Sequence, residues 1–154
     1  KESKCYLDDN IVWCVYSIFE GNSRPDIESA LKEYGKDKKY IGLFHAPVDG
    51  AITSVGFEFE DSTELEQFNG CDAVMMGDIH HRQNFIYKGI NISYCGSFIQ
   101  QDFGERVDEH GYLLWDIQHL DYSEHNIVTD YGYYVFKINS LEVLDTQKEY
   151  LTNA

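Results

Sequence analysis

The chain has 154 residues, 43% of them apolar, with twelve Tyr, nine Phe and only two Pro. That is enough for one domain with a real core, too little for two, and it excludes extensive disorder. A formal charge of −15 excludes a broad basic face for gripping phosphates. There is no apolar run near the ~20 residues of a membrane helix, and the N-terminus lacks a charged-then-apolar leader pattern, so a soluble, intracellular protein is expected: cytoplasmic, or in the nucleoid or nucleus, and not secreted.

The elements can be read in chain order. Residues 1–10 are polar and read as the end of an earlier element; a first residue Lys1 in place of methionine points to a fragment. Ile11 to Ile18 is β-branched and aromatic, a central strand. Ser23-Arg24-Pro25-Asp26 resembles a capping box with proline in the first turn. A helix should follow, because Ile27, Ala30, Leu31 and Tyr34 fall on one stripe and Gly35 supplies a stop. The basic knot Lys36, Lys38 and Lys39 reads as a solvated loop.

Tyr40 to Phe44 is a second apolar strand ending at His45. A loop over 48–60 leads to Asp61, which with Glu64 in the capping-box position predicts a short helix with Leu65 and Phe68 inward and Gly70 past its end. The strand 72–77 comes next. Residues 11–77 thus read β-α-β-loop-α-β, two crossover units whose strands should lie parallel and share a carboxyl edge. Beyond Gln83 the period changes to that of a hairpin, 85–87 and 90–94 around Lys88-Gly89. A loop over 97–110 precedes a strand at 111–117, and two further strands are expected near 122–129 and 132–138. The tail from Asn139 reads as polar, the start of a following unit. The four cysteines, Cys5, Cys14, Cys71 and Cys95, have no paired spacing and are expected as free thiols in a reducing compartment.

The chemistry gathers at strand ends. Ala73-Val74-Met75-Met76 reads as a strand buried on both faces, and it stops at Gly77-Asp78-Ile79-His80-His81-Arg82. In open sheets ligands collect beyond the carboxyl ends of the strands. If strands 40–44 and 72–77 are neighbours, His45 joins Asp78 and His80 there, and imidazole with carboxylate suits Mn²⁺, Fe²⁺ or Zn²⁺. Each alone has a plainer reading: a histidine bonding a carbonyl, or an aspartate capping a turn. On an extended segment His81 points opposite to His80. Arg82 could meet a phosphate bidentately or form a surface ion pair. His110, His119 and His125 show no metal-like spacing.

Gly77-Asp78-Ile79-His80-His81-Arg82-Gln83, then Tyr94-Cys95-Gly96-Ser97, Gly104-Glu105 and His110-Gly111-Tyr112 resemble the last part of the catalytic domain of calcineurin-like metallophosphoesterases. Within these the likeness is to the double-strand-break-repair nuclease subunit of SbcD type. It covers roughly residues 11–118. In that family a Gly-His-x-His motif supplies two ligands of a dinuclear site, and an earlier strand ends in a ligand histidine, matched here by His45; Asp78 replaces the first histidine of the motif. The family's Asp-x-His near the N-terminus, its middle bridging aspartate and its Gly-Asn-His do not occur; the one Gly-Asn, Gly21-Asn22, is followed by Ser23.

The resemblance implies an α/β fold, part of a metallophosphoesterase sandwich with parallel βαβ units followed by antiparallel strands. It implies residues 1–138 as the C-terminal part of that domain and 139–154 as a tail. It further implies two divalent ions, Mn²⁺ among the candidates, with His45 and Asp78 on one and His80 on the other, and Arg82, Gly96 and Ser97 toward the substrate. DNA, an SMC-like ATPase and a second copy in a homodimer are the implied partners. Three side chains cannot complete a site for two ions about 4 Å apart, so the isolated chain is expected to be inactive and to bind metal weakly. The alternatives are a phosphoprotein or small-ester phosphatase of the same superfamily, and a non-catalytic interaction domain that keeps the sheet.

Overall fold

The structure, a computed structural model, describes residues 2–21 and 23–143. Eight strands and one short helix make up its regular part: β1 (Lys4–Asp8), β2 (Ile11–Val15), α1 (Ile27–Tyr34), β3 (Lys39–His45), β4 (Ala73–Gly77), β5 (Gln83–Tyr87), β6 (Ile90–Tyr94), β7 (Gly111–Asp116) and β8 (Asp121–Asn126). Six strands form one sheet in the order β1-β2-β3-β4-β6-β5, and β7 and β8 pair separately. β2, β3, β4 and β6 run parallel, while β1 and β5 are antiparallel at the two edges.

This corrects the expected α/β class. The protein is mostly β, with an eight-residue α-helix as its one helix of that length among the described residues. The second crossover has no α-helix because its residues are used otherwise. Asp49 N–H donates to the Thr63 carbonyl at 3.1 Å, Ser62 N–H to the Asp49 carboxylate at 2.5 Å, and Val48 and Thr63 form a parallel bridge. Residues 62–63 are thereby kept out of a helix, and only Leu65–Phe68 remain before Gly70, as a 3₁₀ turn whose Glu64 makes no side-chain cap. Four residues cannot offset the cost of nucleating an α-helix.

Other boundaries also move. Asp26, not Ser23, caps α1: its carboxylate accepts from Ser29 N–H at 2.9 Å and the Ser29 hydroxyl at 2.7 Å, which lowers its pKa. Residues 4–8, read as polar, are the edge strand β1, joined to β2 by a turn at Asp9-Asn10 with Asp9 at φ 52°. The strand expected at 132–138 does not form. Its alternation is present, and Tyr134 stacks on Phe136 at 6.1 Å, but no neighbouring strand among the described residues offers a ladder. The tail falls largely on residues 144–154, which lie outside the described residues.

The core lies under one face of the large sheet. Val12 and Cys14 from β2, Tyr40 and Phe44 from β3, Val74 and Met76 from β4, and Ile92 and Tyr94 from β6 point the same way. Ile27 and Ala30 of α1, with Val48, Ala51 and Phe68, close over them. Tyr16, Phe44 and Phe68 meet edge to face with centroids 5.2–5.9 Å apart. The cysteines are free, and Cys5 faces Cys14 across β1 and β2 with 3.5 Å between sulfurs. No helix among the described residues is long and apolar enough to cross a membrane.

Candidate metal centre at the carboxyl edge of the sheet

The parallel register fixes what meets at the sheet edge. β3 and β4 are neighbours, and His45 lies opposite Gly77. Asp72 anchors that register at the other end, its carboxylate accepting from Tyr40 N–H and its own N–H donating to the Tyr40 carbonyl, both at 2.7 Å. Because Gly77 has no side chain, the His45 ring lies over it. Asp78 then takes φ 85°, a left-handed conformation that Asp tolerates better than most residues, and the chain leaves the strand sharply. His45 Nδ1 ends 3.8 Å from Asp78 Oδ1, with both side chains well exposed.

The segment after His45 is pinned from below. The Tyr94 hydroxyl donates to the Ala46 carbonyl at 2.8 Å and accepts from Val48 N–H at 3.0 Å. Tyr94 is fully buried, and burial raises its pKa. The end of β6 therefore holds the turn that presents the histidine at the end of β3.

His80 stands apart from the His45–Asp78 pair. Its Nδ1 is 2.5 Å from Glu105 Oε1, with the ring half exposed and the Glu105 side chain buried. His81 is exposed, in the wall of a cavity of about 420 Å³ that Arg82, Arg106 and Glu124 also line. Arg82 is turned inward: Nη1 donates to Glu124 at 3.1 Å and to Asn126 at 2.8 Å, and Nε to the Cys95 carbonyl at 3.3 Å. It ties the β7–β8 pair to the main sheet. Gly96, at φ 75°, backs onto the His80 carbonyl, and Ser97 N–H donates to that carbonyl at 3.1 Å. Ser97 is buried, and its hydroxyl meets His110 Nδ1 at 2.8 Å. A second cavity, about 450 Å³, opens beside Asp78 and His80 and is walled by Phe57, Phe59 and Asp102.

Two imidazoles and a carboxylate fit a borderline divalent cation by donor chemistry. They fit as two contributions, a His45–Asp78 pair and a separate His80. Among the described residues no group of three or more His, Cys, Asp or Glu side chains gathers closely enough to hold an ion. Reading the sequence assigned no role to Glu105 or His110, which prove to be buried partners of the edge. The signal for them was faint: acid and histidine flanking glycines in a polar loop.

No family model matches the chain. It is similar to an uncharacterized protein of Acanthamoeba polyphaga mimivirus, 34% identical over 152 residues, an alignment that takes in 96% of this chain and 11% of that protein. The chain thus spans about a ninth of the length of the relative it matches.

Proposed function

We propose that the chain is part of a metal-dependent phosphodiesterase, a DNA exonuclease or endonuclease of recombination and double-strand-break repair, and that it supplies one edge of a two-ion centre. The observation that carries this reading is the His45–Asp78 pair at 3.8 Å on the carboxyl edge of adjacent parallel strands, with His80 two residues beyond. His45 and Asp78 would hold one ion and His80 the other. Such ions, Mn²⁺ among the candidates, activate a water and stabilise the departing oxygen in phosphodiester hydrolysis. Arg82, Gly96 and Ser97, expected toward the substrate, make contacts within the fold that support that edge. DNA as substrate, an SMC-like ATPase as partner and a homodimeric assembly belong to the same proposal for the complete protein.

The test is cleavage of linear duplex DNA in Mn²⁺ by the complete protein, set beside hydrolysis of a nitrophenyl phosphomonoester. DNA cleavage that is lost in His80→Ala supports the reading. Preferred monoester hydrolysis would make the protein a phosphatase of the same superfamily. A second reading is a non-catalytic interaction domain that keeps the sheet; it predicts no hydrolysis of either substrate.

A further inference from the structure

Glu105 is a buried acid in the loop between β6 and β7, its side chain only 3% exposed. Its two oxygens divide their work. Oε2 accepts from Gln101 N–H at 2.7 Å and from the Ser97 hydroxyl at 3.4 Å, and Oε1 lies 2.5 Å from His80 Nδ1. Gln100 Nε2 holds the backbone carbonyl of Glu105 at 2.8 Å, so the residue is fixed at both ends. An ionised carboxylate can only accept. The proton between Glu105 and a neutral His80 therefore sits on Nδ1, which leaves Nε2 as the lone-pair atom of the ring. A ligating histidine whose other nitrogen is held by a carboxylate has its tautomer and orientation set before the ion arrives.

We propose that Glu105 is the positioning residue of this centre, holding His80 as its Nδ1–H tautomer so that Nε2 is presented to a divalent cation. The second half of this statement rests on the proposed function; the first half does not. The alternative is a purely structural contact, in which His80 serves only to satisfy a buried acid.

Nitrogen-15 spectra of the imidazole rings, recorded on the chain over a pH series, read the tautomer of the neutral ring directly. His80 should show a protonated Nδ1 and a bare Nε2, and adding MnCl2 should broaden its ring signals. In Glu105→Ala the single tautomer should give way to a mixture, and the MnCl2 concentration needed for half-broadening should rise about 10- to 100-fold. A protonated Nε2 in the unsubstituted chain would overturn the proposal without any variant. So would an Mn²⁺ response that is the same in Glu105→Ala. If the tautomer is as stated but MnCl2 leaves His80 untouched, the metal half of the proposal fails while tautomer control by Glu105 stands; the functional reading itself stands or falls with DNA cleavage by the complete protein.

Discussion

The His45 ring occupies the space that a side chain on Gly77 would need: a Cβ built there comes within 2.7 Å of His45 Cδ2 and 3.3 Å of Nε2. The two residues are register partners on β3 and β4, so the glycine is what lets an imidazole lie flat on the sheet edge beside Asp78. Gly77→Ala should displace the ring without unfolding the protein, because the histidine is mostly exposed and can rotate away. The expected stability change is under about 1 kcal/mol. Nuclear Overhauser contacts between the His45 ring and residues 77–78 should weaken, with the thermal midpoint nearly unchanged. A large fall in the midpoint instead would show that Gly77 serves packing and not the pair.

Asp78 sits at φ 85°, a conformation that costs an L-residue roughly 1–2 kcal/mol and glycine almost nothing. Asp78→Gly should therefore raise stability by about 1 kcal/mol while removing one of the proposed metal donors. Chemical denaturation and MnCl2 broadening of His45 together check the trade. A strained residue that is more stable when replaced is one retained for another reason.

The carboxyl edge was legible in the sequence for a definite reason. Buried parallel strands read as unbroken apolar runs, and both Tyr40 to Phe44 and Ala73 to Met76 break at metal-capable residues. The rest depended on contacts that no local pattern carries. Glu105 is far from His80 along the chain, and only the folding back of the loop after Ser97 joins them. The helix expected from Asp61 failed because Ser62 and Thr63 are held by Asp49, a partner outside any helical window. The strand expected over 132–138 had the alternation but did not form, since alternation reports a face and not a neighbour.

Tyr94 couples the β6 end to the turn after His45, and its hydroxyl satisfies the buried Val48 N–H. Tyr94→Phe leaves that donor unpaired in a site without water access, at a cost of about 1–3 kcal/mol. Urea unfolding should show a lower midpoint with unchanged slope, and exchange of the Val48 amide should accelerate more than that of Val12 in β2.

Burial raises the pKa of Tyr16, Tyr40 and Tyr94. The folded state therefore keeps these protons at a pH where the unfolded chain releases them. Their contribution to stability is complete below the ordinary tyrosine value of about 10 and is lost as pH rises above it. A first tyrosinate absorbance rise, near the ordinary value of about 10, should come with the fold intact. A second tyrosinate absorbance rise should then coincide with loss of far-ultraviolet circular dichroism. A single smooth titration with no accompanying unfolding would contradict the assignment.

Arg82 links the two sheets. Three hydrogen bonds, to Glu124, Asn126 and the Cys95 carbonyl, join the start of β5 and the end of β6 to β8. The side chain is only 12% exposed, so its ion pair with Glu124 is partly shielded from solvent. Lysine cannot replace it, because one ammonium cannot reach three acceptors spread around a planar guanidinium. Arg82→Lys and Arg82→Ala should both cost about 1–3 kcal/mol, and amides of β7 and β8 should exchange faster while those of β3 and β4 hold. A variant that leaves β7 and β8 protected, yet weakens DNA cleavage by the complete protein, would instead place the guanidinium at the phosphate. The two outcomes separate a residue that builds the edge from one that meets the substrate, and the inward geometry favours the first.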